Sequence, residues 1–330
     1  MTVSHDFAIA TRAQASGRTP DFFLVGHQKC GTTALYEMLK CHPQIFMPDL
    51  KEPWFFAPEL RAGRSFGPAA RMPGTLAEYE ALFAAATPEQ IAGEATPSYL
   101  KSELAARRIA ELRPDARIVA ILREPASFLR SLHFQFVQGD LETENDLRKA
   151  IALEPRRRAG EALPRNSPRP KELLYSEHVR FVEQLRRYHD VFSPDQVLIM
   201  IYDDFRADNE RAVRQVQRFL GVDDSHTFEV IEANPTVGVR SPRVKELVRA
   251  LYLGRSPAAR AAKVTIKALT PERLRHSALA IERRAQVNSP RPPDEQLMVE
   301  LRRRFKGEVV ALSEYLGRDL VALWGYDQIP

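Results

Sequence analysis

The sequence predicts an α/β protein, a central parallel sheet flanked by helices. Three observations carry this. The run Asp21-Phe22-Phe23-Leu24-Val25-Gly26 is continuously apolar after its first residue, as a strand covered on both faces is. A loop with glycine at each end, from Gly26 to Gly31, separates it from a helical pattern. Strand and helix patterns then alternate along the chain, which favours parallel pairing.

The elements follow in order. Residues 1–20 are polar and expected to form a flexible N-terminal arm, with 21–330 as one domain. After the first strand, Leu35, Met38 and Leu39 share a face of a helix over 32–40, which Pro43 forbids from continuing. Gln90–Glu94, Arg117–Leu122 and Gln196–Tyr202 read as strands. Helices are expected over 101–112, from about Pro125, over 176–188 and over 209–220, with Gly221 capping the last. Four prolines make 155–171 a mobile-loop candidate, 242–284 reads as a basic helical insertion, and 293–324 closes the chain as a helical block.

Composition excludes several classes. With 44% hydrophobic and 28% charged residues the chain is not disordered. No run of about 18 apolar residues suggests a transmembrane helix. The N-terminus lacks a basic region followed by an apolar one, so no secretory signal is expected. Cys30 and Cys41 are too few for a disulfide framework, and a cytoplasmic location is the expectation. The formal charge is +5, but 155–171 carries an excess of +5 and 236–284 one of +9, leaving −9 elsewhere. That is not the uniformly basic surface that coats a duplex, and no nucleic-acid partner is expected.

The chemistry concentrates in Gly26-His27-Gln28-Lys29-Cys30-Gly31-Thr32-Thr33. A strand–loop–helix junction aims backbone N–H groups and the positive helix end at an anion. Lys29 adds a charge, and Thr32 and Thr33 add hydroxyl donors. The loop differs from a Walker A motif, which places Lys after its second Gly; here Thr32 follows Gly31. A magnesium-dependent kinase also needs an acidic strand end, whereas RIVAIL runs into Arg123.

The stretch QKCGTTALYEMLKCHPQI resembles the 5′-phosphosulfate loop of sulfotransferases that use 3′-phosphoadenosine 5′-phosphosulfate (PAPS), and is similar to heparan-sulfate-modifying enzymes and their bacterial relatives. Arg123-Glu124-Pro125, with Ser131 eight residues after Arg123, resembles that family's 3′-phosphate motif. Lys51-Glu52-Pro53-Trp54-Phe55-Phe56 resembles the segment carrying its general base, and EATPSY over 94–99 a segment lining the acceptor cleft. NPTVGVRSPR resembles a loop placing basic residues over the nucleotide, with Arg240 the better candidate and Arg243 the second.

The resemblance implies a P-loop-like sulfotransferase fold. PAPS would be the co-substrate, 3′-phosphoadenosine 5′-phosphate (PAP) the product, and no metal would be needed. Gln28, Lys29, Cys30, Gly31, Thr32, Thr33, Arg123, Ser131 and Arg240 would bind the donor, with Lys29 and Glu52 catalytic. His27 and His133 compete with Glu52 as base. The acceptor would be a small molecule or glycan bearing a hydroxyl or amine, and a homodimer is compatible. The two basic segments would flank the acceptor side. The rival readings are a metal-dependent P-loop small-molecule kinase with a degenerate loop, and a non-catalytic anion or nucleic-acid binder.

Overall fold

The computed structural model describes residues 17–61, 72–164, 169–226, 238–239, 287–288 and 294–329. Five strands build the main sheet: β1 (Phe22–Gly26), β2 (Ile45–Phe46), β3 (Ile91–Ala95), β4 (Arg117–Leu122) and β5 (Val197–Ile201). They lie in the order β2-β3-β1-β4-β5, and every pairing is parallel. β1 sits centrally, with Phe23 opposite Glu94 of β3 and Ile118 of β4. Its Phe22, Phe23, Leu24 and Val25 are fully buried, which explains the unbroken apolar run. β2 was not expected; two residues are too few to show a period.

Among the described residues the helices are α1 (Thr32–Lys40), α2 (Pro58–Arg61), α3 (Leu76–Glu80), α4 (Ala105–Leu112), α5 (Pro125–Gln138), α6 (Leu147–Ala152), α7 (Glu154–Arg158), α8 (Phe181–His189), α9 (Tyr202–Ala207), α10 (Asn209–Leu220), α11 (Glu295–Leu316) and α12 (Leu320–Leu323). α1 and α10 match the sequence expectation, and Gly221 caps α10 at φ 73°. Two helices start later than expected. A 3₁₀ turn, Pro97–Lys101, precedes α4, and Ser102 Oγ then accepts from the Leu104 and Ala105 amides. The 176–188 pattern is broken at Arg180, because Glu154 takes the Ser176 amide and hydroxyl at 2.8 and 2.6 Å and holds a 3₁₀ turn over Tyr175–Val179.

The expected loop over 155–171 begins as helix α7. Its arginines are paired within the chain. Arg157 forms a buried ion pair with Glu142 at 2.7 Å, Arg156 meets Glu161, and Arg158 meets Glu177. Arg157 is thereby taken up in the interior, while the Arg156 and Arg158 pairs remain exposed. Residues 17–20, expected within the arm, are tied down: Arg18 bonds Asp21 and the Gln90 carbonyl, and Thr19 is buried.

The chain divides into two units, Met1–Asn234 with Glu295–Pro330, and Pro235–Asp294. In the second, β6 (Gly238–Val239) pairs antiparallel with β7 (Val287–Asn288). The expected helical insertion over 242–284, together with Arg240 and Arg243, lies outside the described residues. No described helix is long and apolar enough to cross a membrane.

Candidate active site

Parallel pairing brings the C-terminal ends of β3, β1 and β4 to one edge of the sheet, and the candidate residues collect there. Gly26 (φ 142°) ends β1 so close to β4 that a Cβ would lie 2.5 Å from the Ile121 carbonyl oxygen. Gly31 (φ 81°) precedes α1, and a Cβ there would lie 2.9 Å from the Phe205 ring. Both glycines thus serve packing as well as the turn. Between them Lys29 takes a left-handed backbone conformation, φ 67°, which costs a non-glycine residue about 1–2 kcal/mol.

Arg123, just beyond β4, holds that conformation. Its Nη1 donates to the Lys29 carbonyl at 2.8 Å, and its guanidinium lies 4.8 Å from the centre of the Tyr202 ring. The cations feel one another. Burial and the Arg123 charge both lower the pKa of Lys29. Burial and Arg123 likewise lower that of Arg130. An anion placed among them would relieve this repulsion. Thr32 is buried and Thr33 partly exposed in the first turn of α1, where amides lack helical partners. Gln28 bridges two elements, donating to Ser98 Oγ at 3.4 Å and accepting from Gln135 at 3.0 Å.

The acidic residue after Arg123 has a structural task. Glu124 accepts from the Ala126 and Ser127 amides as the N-cap of α5, and from Tyr326 at 2.7 Å. Ser131 lies buried on α5, next to Arg130.

Glu52 reaches the same edge from the loop that follows β2. Its amide donates to the Ala95 carbonyl at 3.1 Å, and its carboxylate pairs with Lys51 at 3.1 Å. Like Lys29 it is left-handed, φ 60°. The following aromatics enter the core, where Phe55 stacks on Tyr79 at 4.4 Å. Glu94 lies fully buried beneath, accepting from Tyr79, Thr96 and Tyr99. Burial raises its pKa to about 7, and the charge of Glu52 adds to the rise.

Lys29 and Arg123 are therefore in contact, while no hydrogen bond joins Glu52 to Lys29. The competing groups are buried. His27 is buried against Phe128 and Phe181, and burial, with His178 and Lys101 nearby, lowers its pKa to about 3. Both ring nitrogens of His133 are occupied, by the Tyr175 hydroxyl at 2.8 Å and the Asn145 carbonyl at 3.1 Å. Burial pushes the Cys30 thiol up to about 12, so it is no nucleophile. The sequence reading missed Arg130, Gln135 and Tyr202. Arg130 follows Arg123 by seven residues, two helical turns, and that spacing was a usable signal. Tyr202 meets Arg123 only through the β4–β5 pairing, which no local pattern encodes.

A glycine-bounded loop between a central parallel strand and a helix, with Lys29 and Arg123 beside it, defines a P-loop-like fold. The Sulfotransferase family model matches residues 20–226, and the chain belongs to that family. It is similar to heparan sulfate glucosamine 3-O-sulfotransferase 3A1 of Mus musculus, with 27% identity over 225 residues, 68% of this chain and 51% of that protein. It is also similar to bifunctional heparan sulfate N-deacetylase/N-sulfotransferase 4 of Mus musculus, with 28% identity over 241 residues, 70% of this chain and 26% of that one. The chain thus spans about half the length of the first relative, and less of the second. A crystal structure of a sulfotransferase from Alicyclobacillus acidocaldarius matches 72% of this chain and 92% of its own at a TM-score of 0.56 and 29% identity.

Proposed function

We propose that this chain transfers a sulfuryl group from PAPS to an acceptor hydroxyl or amine, with Glu52 as general base. The observation that carries this reading is the Arg123–Lys29 contact beside the loop amides. It gathers two cations and a helix start where a donor with anionic groups at both its 5′ and 3′ positions would sit. The residues suit such a donor: Lys29 and the Thr32 and Thr33 hydroxyls would meet its 5′ end, and Arg123 and Ser131 its 3′-phosphate. Gln28, Cys30 and Gly31 contribute loop backbone.

Sulfuryl transfer breaks the bond from sulfur to the bridging phosphate oxygen and forms one to the acceptor atom. The bond pair leaves with the phosphate of PAP, where Lys29 and the loop amides stabilise the growing charge. The acceptor proton passes to the Glu52 carboxylate. Lys51 Nζ lies 3.1 Å from that carboxylate and helps hold it in place.

The names of the relatives make a glucosamine-containing glycan the first acceptor class to try, ahead of lipids and secondary metabolites. The kinase alternative has less support. Glu124 is spent on a helix cap and on Tyr326, and Asp203 accepts from Trp324 at 2.9 Å. The test is a labelled-PAPS transfer screen across these acceptor classes, with Glu52→Gln alongside. Transfer that survives undiminished in the variant removes Glu52 as base, and absence of transfer to any class counts against the activity itself.

A further inference from the structure

The loop Lys51–Phe56 holds two residues, Glu52 (φ 60°) and Trp54 (φ 57°), in left-handed conformations that non-glycine residues seldom adopt. Such conformations persist where the surroundings over-determine them. Two backbone hydrogen bonds do so: Glu52 N–H to the Ala95 carbonyl at 3.1 Å, and Phe56 N–H to the Tyr99 hydroxyl at 3.2 Å. The Tyr99 hydroxyl itself donates to Glu94 Oε2 at 3.2 Å. The same oxygen takes the Tyr79 hydroxyl at 2.6 Å, and Oε1 takes Thr96 at 2.6 Å. Tyr79 in turn stacks on Phe55 and meets Phe56 edge-on at 5.2 Å. Each of these anchors ends on the Glu94 carboxylate or on the residue after it.

Glu94 is fully buried, and its partners are three hydroxyls rather than a cation. A well-packed apolar side chain would be cheaper in such a place. The carboxylate is therefore not a packing solution. It is a fixed acceptor that sets the direction of two tyrosine hydroxyls, one of which receives the loop amide.

We infer that Glu94 is a positioning residue: through Tyr99 and Tyr79 its carboxylate locks the Lys51–Phe56 loop, so that Glu52 is presented to the cleft in one backbone conformation. The use of that conformation rests on Glu52 being the base; the lock itself does not. Tyr99→Phe keeps the ring, removes the hydroxyl and leaves the buried Phe56 N–H without its partner. Glu94→Gln offers one accepting oxygen and turns two N–H donors toward hydroxyls that also donate.

The test is backbone hydrogen exchange on the full chain carrying either substitution, with PAP affinity measured beside it. Exchange across 51–56 should quicken about tenfold, while peptides of β1 and β4 and the affinity for PAP stay as in the wild type. With an acceptor in hand, kcat should fall about tenfold and KM for PAPS should hold. Unaltered exchange over 51–56 overturns the inference. So does equal quickening across the whole sheet in both variants, which would make Glu94 a core residue and nothing more. Full transfer in Glu52→Gln would remove the base assignment and leave the exchange result standing, so the two failures are distinguishable.

Discussion

Arg123 donates a hydrogen bond from Nη1 to the main-chain carbonyl of Lys29, 2.8 Å away. The residue proposed for the 3′-phosphate thus props up the residue proposed for the 5′ end. Lys29 sits in a left-handed conformation that its own side chain does not favour, and the strand-end guanidinium stabilises it.

This contact makes the two ends of the donor site interdependent. Arg123→Ala should weaken PAP binding about a hundredfold, at the upper end of what a charge-assisted hydrogen bond contributes, because the loop loosens too. Combined with Lys29→Ala, the loss should be smaller than the sum of the two single losses. Calorimetry on the three variants measures this, and additive losses would show that the contact carries no coupling.

The Arg157–Glu142 pair is a structural prediction. Its side chains are almost completely buried, and Glu142 also accepts from Tyr175 and from the Thr143 and Glu144 amides. Arg157→Ala should cost about 3–5 kcal/mol in denaturant unfolding, because it strands a buried carboxylate. Burial alone would raise the pKa of Glu142, but the hydrogen bonds and charge of Arg157 outweigh it and hold the group below its ordinary value. A lowered folded pKa gives stability that is present above the unfolded value and lost as pH falls through the folded one. The cost of Arg157→Ala should therefore be greatest near neutral pH and shrink as the solution is acidified. A cost that is the same at both ends of that range would contradict this.

Glu94 carries the opposite sign. Its folded pKa is raised by burial from 4.5 to about 7. Its contribution is fully present below the unfolded value and declines as pH rises to about 7, by roughly 3 kcal/mol over that span. The Tm of the wild type, referred to that of Glu94→Gln, should be greatest near pH 5 and decline toward pH 8. A flat difference across that range would show that Glu94 does not titrate there.

The two cysteines should behave differently. Cys30 is buried with its thiol pushed up to about 12, whereas Cys41 is exposed. A thiol reagent at neutral pH should label Cys41 in the folded protein and reach Cys30 only after denaturation. Rapid labelling of Cys30 in the native state would mean that the loop opens.

Much of the site was legible because it is local. Lys29, Gly31 and Thr32 follow β1 directly, and Arg123 follows β4, so a strand pattern and the next residues were enough. What stayed hidden depends on pairings distant in sequence. The partner of Arg157 is Glu142, and that of Glu124 is Tyr326 from the far end of the chain. The three arginines of α7 looked like surplus charge because their carboxylates, 142, 161 and 177, are scattered along the sequence. Glu94 resembled a cleft residue in sequence; its burial under Tyr79 and Tyr99 emerged only from the tertiary packing.

The central claim is that the Lys29–Arg123 pair binds a 3′-phosphorylated adenine nucleotide for sulfuryl transfer. The most direct measurement is calorimetric titration of the full chain with PAP and, separately, with magnesium ATP, on wild type and Lys29→Ala. The account predicts tight PAP binding, no comparable magnesium ATP binding, and a tenfold or greater weakening in the variant, about 1.4 kcal/mol or more. Tight binding of magnesium ATP with no response to PAP would contradict it.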